Sequence, residues 1–163
     1  MDSFGAEEAC GIVKLPRGIT GFWAVGEQAP PASDTRAFRG HCHEVARRLG
    51  GGVLSVEEPS HRNFTVGTVA TAAGSVAVLL NARYPFIGFA EPPRKGEVFL
   101  QFRDSSALAE VLREFGVYEV LPASELERRP TPDDLGALSE AELELVAYWR
   151  PQRVGDLIFN YWD

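Results

Sequence analysis

The stretch from residue 63 to residue 91 constrains the fold more than any other. "NFTVGTVAT" (63–71) and "SVAVLLNAR" (75–83) are rich in β-branched and apolar residues, and only the short "AAG" connection, with Gly74 at its end, separates them. Two such runs across a tight turn read as a hairpin. "PFIGFAE" (85–91) reads as a continuation of the second strand past a bend at Pro85. Upstream, "GVLSVEE" (52–58) alternates Val53, Ser55 and Glu57 with Leu54, Val56 and Glu58. Downstream, "EVFLQFRD" (97–104) places Val98, Leu100 and Phe102 on one face and Phe99, Gln101 and Arg103 on the other. Short turns such as "EPPRKGE" suit antiparallel neighbours, because a parallel pair needs a long crossover.

Helical periodicity brackets these strands. In "DTRAFRGHCHEVARRLGGG", Phe38, Cys42, Val45 and Leu49 recur at helical spacing, Ser33 or Asp34 can cap the start, and Gly50 to Gly52 supply the stop. "DSSALAEVLREFG" (104–116) repeats the pattern with Leu108, Val111, Leu112 and Phe115, and "VYEVL" reads as a short edge strand. Near the end, "SEAELELVAYW" opens with Ser139 and Glu142 at capping-box spacing, and Ala141, Leu145, Tyr148 and Trp149 are assigned to its inner face. Pro151 then stops the helix, and Val154, Leu157, Ile158, Tyr161 and Trp162 predict a last amphipathic helix that carries the aromatic tail into the core. The expectation is one α+β domain over residues 1–163, an antiparallel sheet of about four to six strands. One helix comes from the N-terminal half, and two or three C-terminal helices pack on the sheet.

Charge narrows the partners. The net charge is −7, and it is uneven: residues 1–82 carry eight acidic and seven basic side chains, residues 83–163 fifteen and nine. A nucleic-acid binder needs a basic footprint, so that class is excluded. The most apolar stretch, "SVAVLLNARYPFIGFA", is interrupted by Asn81, Arg83 and Pro85 and is too short for a membrane span of about 20 residues. The acidic opening "MDSFGAEEAC" has no apolar run, so a cytoplasmic chain with Cys10 and Cys42 reduced is expected.

Candidates for chemistry are sparse. "HCH" (41–43) places His41 and His43 on different helix faces, with Cys42 on the buried stripe, so the pair is a poor metal clamp. His61 falls in a loop. Gly50 to Gly52 follow a helix, whereas phosphate-cradling glycines precede one. No cofactor or metal is assigned. Tyr84, Phe86, Phe89 and Trp23 are read as core.

The run "TPDDLGALSEAELELV" stands out. Asp133, Asp134, Glu140, Glu142 and Glu144 have no basic residue among them between Arg129 and Arg150. Part of this charge suits helix starts, where the dipole favours carboxylates. The remainder can form an electrostatic docking surface for a basic protein.

Tyr148-Trp149, Pro151, Gly155-Asp156, Phe159-Asn160 and Trp162-Asp163 form a C-terminal pattern. With "VLLNARYPFIGFAE" and "FLQFRDSSALAEVL", it resembles a group of small bacterial proteins, some of which look like immunity proteins of toxin systems. The likeness covers about half of the chain. It implies a small cytoplasmic binding protein and brings no catalytic residues. The expected function is a non-catalytic, immunity-type inhibitor that meets a basic toxin domain through Asp133, Asp134, Glu140, Glu142 and Glu144. The alternative is a small enzyme whose site assembles from His41, His43, His61 and scattered carboxylates.

Overall fold

The computed structural model describes residues 14–162; the acidic opening stretch with Cys10, and Asp163, lie outside them. At the centre is a six-stranded sheet. Strands β1 (Gly52–Glu57), β2 (Phe64–Thr71), β3 (Gly74–Asn81) and β4 (Phe86–Ala90) follow one another antiparallel. The 85–91 segment is therefore a new strand that doubles back on β3, with Leu80 opposite Ile87 and Ala77 opposite Ala90. Two short strands share the far edge of β4. β5 (Phe102–Arg103) runs antiparallel to its end, and β6 (Glu119–Val120) runs parallel to its start. The sheet is antiparallel as expected apart from the short edge strand β6, which is parallel because a helix carries the chain back between β5 and β6.

The predicted 97–104 strand shrinks to two paired residues. Beyond Ala90 the neighbouring chain enters Pro92-Pro93, and proline offers no N–H to a ladder. Only one further bond, Glu91 N–H to the Gln101 carbonyl, extends the pairing, and Val98 and Phe99 stand exposed.

Both faces of the sheet are covered, which explains why "VAVLL" is apolar without alternation. On one face, Val69, Val76, Val78, Leu80, Ile87 and Phe89 pack against α1 (Thr35–Arg48) and α2 (Ser106–Glu114). Helix α1 is capped by Asp34, whose side chain accepts from Ala37 N–H, and it buries Phe38, Cys42 and Val45 as its spacing predicts. Helix α2 is capped by Ser105. On the other face, Phe64, Val66, Ala77, Leu79, Phe86 and Ala90 meet residues 15–19 and the C-terminal helices. These are α3 (Ala123–Glu127), α4 (Pro132–Leu135), α5 (Glu140–Trp149) and α6 (Val154–Ile158). The result is three layers, helices on both sides of one sheet.

The predicted last helix is shorter than its periodicity suggests. It stops at Ile158, and Phe159 to Trp162 continue as non-helical chain, yet Phe159, Asn160 and Trp162 are buried. The polar lock that holds them consists of three buried asparagines. The side-chain amides of Asn63 and Asn81 both donate to the Ile19 and Ile158 carbonyls, at 2.7–3.1 Å. Asn160 N–H donates to Asn63 Oδ1 at 2.7 Å, and the Asn160 amide donates to the Thr20 carbonyl at 3.1 Å. Residues 19–20, the start of β2, the end of β3 and the tail are thereby tied at one point.

Gly155 is required by close approach. A Cβ there would lie 2.4 Å from the Phe102 ring and 3.0 Å from the Leu126 carbonyl oxygen. Backbone on one side and a packed ring on the other leave little room to yield. Gly155→Ala is expected to destabilise by about 2–3 kcal/mol, in the upper part of the overpacking range, with the loss read from the urea midpoint.

Candidate functional site

The acidic run is divided by the fold. Glu142 is fully buried, and its carboxylate accepts four bonds: Gly18 N–H at 2.9 Å, Thr20 N–H at 3.1 Å, Thr20 Oγ1–H at 2.6 Å and Ser139 N–H at 3.0 Å. Asp134 is also buried. It takes both guanidinium nitrogens of Arg128 at 2.9 and 3.0 Å, with Thr131 N–H at 2.6 Å. Burial alone would raise the pKa of Asp134, but the bonds from Arg128 and Thr131 outweigh it and hold the carboxyl below its ordinary value. These two residues cannot face a partner, because their oxygens already satisfy internal donors. The five-residue docking surface is corrected to three members: Asp133, Glu140 and Glu144 are exposed. None of these three carboxylates has an ion-pair or hydrogen-bond partner among the described residues.

Helix α5 decides what surrounds two of them. The Ser139–Glu142 capping box forms as the spacing predicts and fixes the helix start. Glu142 points inward, and Leu145 and Val146 pack on the core beside it. The opposite side carries Glu140, Leu143, Glu144, Ala147 and Tyr148 at i, i+3, i+4, i+7 and i+8, all exposed. Tyr148 and Trp149, expected on one face with Ala141 and Leu145, are both exposed, at 75% and 42%. Trp149 follows the inner residues Glu142 and Leu145 by seven and four positions, whereas Tyr148 is in helical phase with the outer residues Glu140 and Glu144. The spacing of Tyr148 from Glu140 and Glu144 was the signal that could have found it. The Tyr148 ring meets Trp149 edge-on at 5.3 Å, and Trp149 lies parallel to Trp162 with centroids 6.3 Å apart. An aromatic chain therefore runs from the exposed face to the buried tail.

The histidines do not converge. His41 Nδ1 and the Tyr118 hydroxyl are 2.5 Å apart, and the imidazole stacks on Phe115 at 4.1 Å. Burial pushes the Tyr118 phenol well above its ordinary value, so it stays protonated. A cavity of about 360 Å³ adjoins this pair, with Asp34 and Arg83 on its wall. Both are engaged in the fold: Asp34 caps α1, and Arg83 donates to the Pro30 carbonyl and lies over the Trp23 ring. His43 and His61 are exposed elsewhere, and no group of three or more His, Cys, Asp or Glu suited to a metal occurs among the described residues. Burial pushes the Cys42 thiol up to about 12, against a smaller lowering by Arg39. A neutral, buried thiol is a poor nucleophile at physiological pH. Phe86 and Phe89 are core as expected, while Trp23 and Tyr84 are half-buried.

No described helix is long and apolar enough to cross a membrane. Compared with known proteins, the chain matches no family model, no curated protein and no solved structure.

Proposed function

We propose that the chain is a non-catalytic protein-binding domain, an immunity-type inhibitor that neutralises a bacterial toxin in the cytoplasm by direct contact. The observation that carries this reading is the outer face of α5. Glu140 and Glu144 stand there with Leu143 and Tyr148, so two carboxylates without a partner among the described residues lie in line with an exposed aromatic. Carboxylates steer a basic partner and set orientation, while a tyrosine supplies a large contact area with few rotors to freeze. Asp133 adds a third charge from α4, just before the capping box. The C-terminal pattern that suggests immunity proteins includes this Tyr148, although most of its members are spent on packing.

Native co-purification from the source cells tests the reading. The wild-type chain is expected to retain one basic protein at near-equal stoichiometry. A Glu140→Lys, Glu144→Lys double variant that unfolds like the parent is expected to lose it. Retention by the double variant, or the absence of any stoichiometric partner in the wild type, contradicts the proposal. Glu57→Lys, Glu58→Lys serves as the control for charge reversal away from α5.

A further inference from the structure

A second feature lies beside α5 and is independent of the protein-binding reading. A cavity of about 730 Å³ opens between residues 98–99 and the chain that links α5 to the tail. Its volume lies in the range of small-molecule sites. Its walls are flat. The Phe99 ring is 63% exposed on one side, and the parallel Trp149 and Trp162 rings form another. Beneath Phe99 the Arg153 guanidinium lies over the Phe99 and Phe102 rings, 4.2 and 4.6 Å from their centroids. Arg153 brings no unspent charge, because Asp156 and Glu127 meet it at 2.7 and 3.2 Å and it donates to the Leu100 carbonyl.

Arg150 differs. It lines the same cavity, is exposed, and its guanidinium has no hydrogen-bond or ion-pair partner among the described residues. It ends α5 in the left-handed conformation, φ 50° and ψ 60°, a position that glycine usually fills. A cation suits a helix C-terminus, but any residue of the preceding turn could supply it without left-handed strain. A non-glycine residue kept there, at the rim of an aromatic cavity, points to a role for its side chain.

We infer that this cavity binds a small, flat, apolar anion: a ring-bearing carboxylate or sulfonate whose ring lies among Phe99, Trp149 and Trp162 and whose acid group meets Arg150. The aromatic faces supply the apolar contact, and among the described residues of the wall Arg150 supplies the unpaired charge. Asp156, on the wall beside Arg153, and Glu127 offset the Arg153 charge.

The test is a fluorescence titration of the full chain with 1-anilinonaphthalene-8-sulfonate, followed by probe and tryptophan emission. The neutral N-phenyl-1-naphthylamine is run in parallel. One saturable site is expected, with the sulfonate bound roughly tenfold more tightly than the neutral probe. Arg150→Gln and Arg150→Gly should remove that preference, and Phe99→Ala should weaken both probes. Arg150→Gly relieves the left-handed strain, so its thermal midpoint should not fall, which separates loss of the site from loss of the fold. No saturable binding, equal affinity for the two probes, or an Arg150→Gln affinity equal to the parent's would overturn the assignment. Glu140→Lys, Glu144→Lys should bind the sulfonate at least as well as the parent, so failure of the partner experiment leaves this result readable on its own.

Discussion

A chain ending at Ile158 is expected to show no cooperative thermal transition. The deleted piece includes Phe159, Asn160 and Trp162, which are 1%, 2% and 8% exposed. Phe159 packs edge-on against Phe64 at 5.7 Å and closes over Gly88, where a Cβ would lie 2.9 Å from its ring. Losing a buried Phe or Trp side chain costs about 3–5 kcal/mol each. Loss of Asn160 also leaves Asn63 Oδ1 and the Thr20 carbonyl without these partners, at about 1–3 kcal/mol for each group left unsatisfied. Together these losses reach the whole stability of an ordinary domain, about 5–15 kcal/mol. Circular dichroism of the truncated chain is the check. A melt superimposable on the full-length one would mean that the tail is an appendage, and its aromatics would return to the list of binding residues.

The second large effect is expected from the most conservative change in the acidic run. Glu142→Gln keeps the shape and removes one acceptor. Oε1 takes the Gly18 and Ser139 amides, and Oε2 takes the Thr20 amide and hydroxyl. Either orientation of a glutamine amide turns its NH2 toward a backbone N–H that cannot rotate away. The expected cost is about 3–5 kcal/mol, that of a buried charge network broken on one side. Glu144→Gln, on the exposed face two residues later, should stay within about 0.5 kcal/mol. Urea unfolding of the two variants side by side measures the difference, and equal midpoints would contradict the division of the run into structure and surface.

Local patterns were legible and distant ones were not. The α1 stripe, the β2–β3 hairpin and the Ser139–Glu142 box each depend on residues within a few positions, and each formed as its spacing predicts. The second role of Glu142, holding Thr20, joins opposite ends of the chain, and no spacing rule reports such a contact. In the sequence Asn63 and Asn81 fall within predicted strands and Asn160 within the predicted last helix, and nothing marks the three as a set. Their common partners, the Ile19 and Ile158 carbonyls and Thr20, exist only once the tail has docked. The candidate site was half-visible for the same reason. The charges of Glu140 and Glu144 can be read directly, but the exposure of Tyr148 depends on a helical phase that the buried Glu142 sets. The aromatic ending therefore has two parts: Phe159 to Trp162 close the core, and Tyr148 remains outside.

The central claim is that recognition lies on the outer face of α5. Amide hydrogen exchange of the chain, alone and with its co-purified partner, tests it most directly. The account predicts slowed exchange in peptides covering residues 140–149 on complex formation, with α1 and β1 unchanged. Protection confined to α1 or the β1 edge, with 140–149 exchanging at the free rate, would contradict it.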